Sequence, residues 1–448
     1  MNDHQAGAQG HLLRIFGLGF GLAVVIGGVI GSGIMRNPGI VAAGFPDPKL
    51  VLLVWLAGGL VVMIDAMPTV ELGAAIPLAG GPYSLAARAF GPLVGFVVGW
   101  ADWLQIAVST GFITVAFGEW VQRLGLLTSL TTGEIAIGLV LACGALNWIG
   151  ARVGGASQSI GSALKAVGLV ILVAALFMAH GKAAPPPAML APAFSWVLAT
   201  TALKAIYGAY GGWHAAVYFS EEVHQPERNV ARATFSGIVL VTVLYVLVNA
   251  AVLKVLPISV LVSSKLAVAD AAKVVLGSGS SMVVTGLAIV SVATIANLQI
   301  MEHVRTGFAM ARNGVLPPSL ARVSASGTPR VSLMVVLVAT IAIIAGADLV
   351  KGQLYQILLE VYAPLVMLVF LVLGMASIRL RLAEPDLPRP WKMPLFPLPA
   401  VVSIAINATL LFLFMRNDWK TGASAAGLLA AGIVLYLFGR SRWKPLTD

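Results

Sequence analysis

Charged residues make up only 10% of this 448-residue chain, it has one cysteine, and its six histidines are scattered without the spacing metal ligands need. A soluble domain carries about 25% charged residues, so the shortage of charge argues against one. Cys143 has no partner for an intramolecular disulfide. It lies in an apolar run, where a thiol acts as a small hydrophobe. No Walker-type glycine loop occurs, so neither nucleotide hydrolysis nor metal chemistry is indicated. No cofactor is expected.

What the chain has in abundance is apolar surface: 59% of residues are hydrophobic and the mean hydropathy is +0.94. A bilayer core needs about 20 apolar residues per helix. About twelve such runs fall at 14–42, 50–76, 91–122, 134–150, 156–180, 195–222, 232–254, 282–310, 332–347, 352–378, 397–416 and 421–439. The expected class is an all-α integral membrane protein. The first run is too long for a cleavable signal peptide and is expected to stay in the mature chain. The formal charge of +10 is then a matter of topology rather than of nucleic-acid binding. With the N-terminus inside, 14 arginines fall on the inner side and 3 on the outer. The positive-inside rule therefore places both termini in the cytoplasm, and the expected location is the cell (inner) membrane.

One apolar run breaks the pattern. "VVIGGVIGSGIMRNPG" at 24–39 carries five glycines in what should be a regular helix. Taken alone, Gly27 and Gly31 fit close helix packing through small residues. Five spans later, however, "YGAYGGWHAA" at 207–216 repeats the device with Gly208, Gly211 and Gly212. Two glycine-broken helices at matching places point to an inverted repeat, spans one to five against six to ten. Backbone freed by a break cannot face lipid, so it must face protein or a watery cavity. Amides near Ser32, Gly33 and Ile34, at a helix start, suit a carboxylate. Carbonyls around Gly208, Ala209, Tyr210 and Gly211 suit an ammonium. Both groups sit on one carbon in an α-amino acid.

These motifs carry a family resemblance over nearly the whole chain. They are "IGSGI" in span one, "ELGAAIPLAGGPYSLAARAFGPLVGFVVGW" at 71–100, "YGAYGGW" with "SEEVHQPERNVARA" to 233, "VRTGFAMARNGVLP" from 304 and "RPWKMPLFPLP" from 389. The chain resembles the amino acid, polyamine and organocation transporter superfamily, and within it the L-type amino acid transporters. The resemblance implies a LeuT-like fold of five plus five helices with helices one and six broken. A tail at 1–13 leads into the core at 14–380, followed by a linker and two peripheral helices at 381–439 and a tail at 440–448. It implies movement of L-amino acids, expected to be neutral, by alternating access through exchange or proton coupling. Cationic amino acids or polyamines are the alternative substrates. A transport-dead receptor and an intramembrane protease are readings from other classes; for the protease, Ser32 lacks the glycine-x-serine-glycine setting.

Lys165 sits midway along span five, where a lysine without a partner costs about 2.5–3.5 kcal/mol. Snorkelling is one escape. The resemblance implies another: in sodium-independent relatives a lysine of span five takes the place of sodium, contacting carbonyls at the break in span one. It would also be placed to exchange a proton. By resemblance Ser109 and Asn297 align with pocket positions. Glu302 and Arg305 fit an internal ion pair, and Glu360 and His214 are candidates for proton or substrate contact beside ordinary structural readings. Asp65, Asp102 and Lys204 lie on faces the sequence does not orient. Glu221 and Glu222 fit the family's acidic pair at the inner end of span six.

Two departures stand out. Where relatives place an aromatic lid before the second break this chain has Gly208, leaving Tyr207 or another helix as the gate. The loop between spans three and four has no cysteine, so no disulfide-linked accessory subunit is expected. The partners are the lipid bilayer and a small amino acid.

Overall fold

The computed structural model describes residues 12–178, 195–264, 266–349, 353–417, 419–439 and 442–443, with the side chains of 278, 281, 347–349, 353–361, 417 and 419–421 left undescribed. Among these residues all regular structure is helical, apart from one isolated bridge pairing Phe16 with Val223. The spans are Leu18–Val29 with Gly33–Gly44, Pro48–Ala75, Pro92–Arg123, Thr132–Ile149, Ala151–Met178, Trp196–Ala209 with Ala215–Tyr218, Pro226–Val255, Ser280–Arg312, Arg330–Leu349, Gln353–Ala383, Leu398–Asn417 and Trp419–Gly439. Among the described residues, nine helices are individually long and apolar enough to cross a bilayer, and the bent pair of span one makes a tenth. Span six is divided into pieces too short to qualify, and the apolar helix 330–346 of span nine is also short. The twelve expected spans are reached only if these two are counted by their place in chain order; by length and composition the described residues give nine or ten.

Local chemistry explains where the helices start. The Asp47 side chain caps span two, accepting from the amides of Lys49 and Leu50, with Pro48 next in line. Thr131 and Glu134 form a reciprocal capping box at the start of span four. Spans three and seven both start on a proline whose missing N–H costs a first turn nothing. Three short helices escape a search for long apolar runs: Pro82–Phe90, Ile258–Ser263 and Ala267–Leu276.

Several of the buried charges act as anchors. Glu71 of span two is fully buried. It accepts from Arg381 Nε at 2.9 Å, Arg381 Nη2 at 2.5 Å and the Met393 amide at 2.6 Å. These bonds pin the linker motif after span ten to the second span, with Arg389 Nε at 3.5 Å. At the end of the bundle where span one begins, Glu221 takes a two-pronged pair from Arg312, at 2.8 and 2.9 Å, and the amides of Leu12 and Ala79. Glu222 takes Arg305 at 2.5 and 2.8 Å. The amides of Ile15 and Phe16 both donate to the Glu222 carbonyl, and the His224 amide donates back to Phe16. Spans one, six and eight are thus tied together at that end by backbone and charge.

The expected ion pair between Glu302 and Arg305 does not form. Arg305 turns to Glu222, which span six presents to both prongs of the guanidinium; a residue three positions away on the same helix meets it less squarely.

Candidate functional site

Span one stops at Val29, where Ile30 leaves the helix with φ −71° and ψ 97°, and resumes at Gly33 with a bend of 49° between the halves. Span six stops at Ala209 and passes through a turn to Ala215, with Gly212 at φ +98°. The two interruptions touch. A Cβ on Gly212 would lie 2.6 Å from Gly28 backbone atoms, and one on Gly28 would lie 2.8 Å from the Gly212 carbonyl oxygen. Glycine is required at both positions by contact, and at Gly212 also by its dihedral.

Freed carbonyls at the first break are satisfied by side chains from three other spans. The Lys165 ammonium, in a side chain only 1% exposed, donates to the Gly27 carbonyl and to the Ile30 carbonyl at 2.7 Å. Ser291 Oγ also donates to Ile30 O at 2.8 Å. The Tyr245 hydroxyl lies 2.8 Å from Val29 O and 3.1 Å from Ala209 O, bridging the two breaks. On the donor side, the amides of Ser32, Gly33 and Ile34 have no backbone acceptor among the described residues. The first break therefore shows spent carbonyls and free amides, an arrangement suited to an anion.

A cavity of about 480 Å³ opens beside the breaks. Ser32, Gly33, Gly208, Ala209 and Gly211 line it, and Asn37, Lys204 and Phe414 lie on its wall farther along. Asp102, Gln105 and Glu302 line it as well. Along span eight, Glu302, Arg305 and Arg312 follow one another over about 15 Å at 1.5 Å per residue. Glu302 therefore lies on the part of the wall nearest the Glu222–Arg305 pair, the floor of the cavity, with the Glu221–Arg312 pair farther along the same helix.

The other residues singled out from sequence divide clearly. Ser109 lines the cavity and accepts from Gln299 Nε2 at 2.8 Å. His214 lines it with Nδ1 unpartnered, its ring 5.1 Å from that of Phe370. Tyr207 lines it too, but its hydroxyl is anchored 2.6 Å from Asp65 Oδ2, and Asp65 is held in turn by Ser403 at 2.7 Å and Asn407 at 2.8 Å. Ile34 and Tyr210 are fully buried and do not line the cavity; the Tyr210 hydroxyl donates to Trp55 O at 2.9 Å. What they offer at the breaks is backbone only. Asn297 is not on the cavity wall either. It accepts from Asn147 at 2.8 Å and donates to Gln158 at 3.1 Å, joining spans four, five and eight, so its polar side chain is spent on packing. The side chain of Glu360 lies outside the described residues.

Sequence reasoning missed Tyr245 and Ser291. The signal available for Tyr245 was a phenol in the otherwise apolar run "VTVLYVLV", since a buried tyrosine hydroxyl seeks an acceptor.

Residues 21–438 match the family described as amino acid permease. The serine/threonine exchanger SteT of Bacillus subtilis is 28% identical to this chain, over 97% of it and 98% of the exchanger. The large neutral amino acids transporter small subunit 2 of Homo sapiens is 28% identical over 96% of this chain and 81% of its own length. The Asc-type amino acid transporter 1 of Mus musculus is 28% identical over 97% and 83% respectively. With the match spanning almost the whole chain and the two facing helix breaks in place, this protein belongs to the amino acid permease family.

Proposed function

We propose that this chain carries L-amino acids across the cell's inner membrane by alternating access without sodium, the substrate's head group resting between the two helix breaks. Lys165 carries the reading. Its ammonium occupies the carbonyls of Gly27 and Ile30, where a sodium ion would otherwise tie span five to span one. The free amides at 32–34 hold the carboxylate, and backbone at 208–211 takes the ammonium. This favours an amino acid over a polyamine, which has no carboxylate to offer those amides. The relatives' names, covering serine, threonine and large neutral amino acids, support a neutral side chain and exchange as the mode of transport. The arginine asymmetry supports both termini on the cytoplasmic side. The single, buried Cys143 supports a carrier without a disulfide-linked accessory subunit. The 14–380 core holds both breaks, and the helices after it are peripheral.

Uptake of labelled amino acid into proteoliposomes, with sodium replaced by choline, tests this for wild type and Lys165→Ala. Wild-type uptake is expected to survive the replacement and mutant uptake to fall at least tenfold. Collapse of the wild type in choline, or full activity of the mutant, refutes sodium independence through Lys165. Amino acid amides, lacking the carboxylate charge, are expected to compete poorly.

A further inference from the structure

The floor of the cavity is built from groups that the head-group site does not use. Asp102 of span three and Glu302 of span eight both line it, close enough for their charges to interact, and Thr306, one helical turn from Glu302, donates to Asp102 Oδ2 at 3.2 Å. Asp102 is well supplied with donors, from the Tyr218 hydroxyl at 2.6 Å and Gln105 Nε2 at 3.2 Å. Glu302 is not. It is 4% exposed, it lines the cavity, and its Oε1 has no hydrogen-bond partner. The neighbouring guanidinium is engaged elsewhere and makes no hydrogen bond to it: Arg305 gives Nε and Nη2 to Glu222 and Nη1 to Met301 O at 2.8 Å, with its face over the Phe219 ring. Lys204, the lysine on the cavity wall, lies over the Phe414 ring instead.

A buried carboxylate oxygen without a donor is costly, and a second carboxylate beside it adds like charge in a medium that screens poorly. Both problems are relieved by a cation that brings its own N–H groups. We infer that the Asp102–Glu302 floor is a subsite for the positively charged end of a substrate side chain, an ammonium or guanidinium, which extends the carrier's range to basic amino acids. This rests on the head-group reading above. An ammonium carries three donors and a guanidinium five, each able to make a charge-assisted bond to a carboxylate. A cavity of about 480 Å³ is within the range that encloses small ligands whole.

The test is binding of lysine, norleucine and alanine to the purified full-length protein by calorimetry. Lysine and norleucine share a chain and differ in the terminal ammonium. Wild type is expected to bind lysine about tenfold more tightly than norleucine, the order of one charge-assisted bond. In Glu302→Gln, which keeps shape and loses charge, that preference is expected to vanish while alanine affinity stays within about twofold. Equal or weaker binding of lysine in wild type overturns the subsite. So does a preference that survives in both Glu302→Gln and Asp102→Asn. Equal binding of lysine and norleucine that strengthens as pH falls assigns the lone carboxylate to a proton and equally overturns it. If none of the three ligands binds, the head-group reading fails first and the subsite falls with it.

Discussion

The break in span one and the break in span six are made by the same means, glycine in mid-membrane, yet they are completed differently. At the first, the carbonyls of Gly27, Val29 and Ile30 are taken by Lys165, Tyr245 and Ser291, side chains from spans five, seven and eight. At the second, a Cβ added at Gly208 meets nothing within 4 Å, and Gly211 also faces the cavity. The first break is a fixed joint whose unused groups are amides. The second is left open on its cavity side. A glycine interruption therefore only frees the backbone; neighbouring side chains decide whether it becomes a joint or a ligand surface.

The contrast is most severely broken where the two breaks touch. Gly212→Val would place a branched side chain at φ +98° and 2.6 Å from the Gly28 backbone. Loss of folded protein is expected, read as the absence of a monodisperse peak in detergent size exclusion; a normal peak would show that the close approach is dispensable. Next comes Lys165→Met, which leaves the Gly27 carbonyl without its partner and the Ile30 carbonyl with Ser291 alone. Each buried polar group left unpaired costs about 1–3 kcal/mol, so thermal unfolding in detergent is expected several degrees lower, with transport lost. An unchanged melting temperature would mean that span one holds its bend without span five.

Tyr245→Phe is a milder change and probes the bridge between the breaks. Removal of one shared hydroxyl is expected to cost about 1–2 kcal/mol and to weaken substrate binding more than it lowers the melting temperature. Substrate binding at wild-type affinity would show that the breaks are positioned independently. The smallest effect on stability is expected from Gly208→Phe, which projects into open space. Its effect should fall on selectivity, with large ligands losing affinity before alanine. Unchanged ratios across ligand sizes would remove Gly208 from the pocket wall.

Much of this frame is legible in one dimension. Twelve apolar runs and the glycines at 27–33 and 208–212 are local properties, and the helices begin and end within about six residues of where hydropathy puts them. The interruption of span six is legible because no partner is needed to see three glycines in five residues. Lys165 is legible because a cation in mid-membrane must find acceptors, and a nearby broken helix is where free carbonyls occur. The acidic pair at Glu221 and Glu222 likewise sits in a motif, although which arginine each would meet does not.

What only the tertiary structure decided is how polar groups on different spans pair. Glu302 and Arg305 are correctly spaced for each other, yet Arg305 goes to Glu222, and Glu302 is left facing the cavity beside Asp102. Asn297 turns into a packing network, Tyr207 is tied to Asp65, and Tyr245 closes over both breaks. The physical reason is rotational. A span hydrophobic on nearly all sides carries little amphipathic signal to say which face turns inward. A small rotation about its axis therefore exchanges one polar partner for another. The sequence determined that the helices cross the membrane and where two of them break; the packing of twelve spans determined which side chains meet at those breaks.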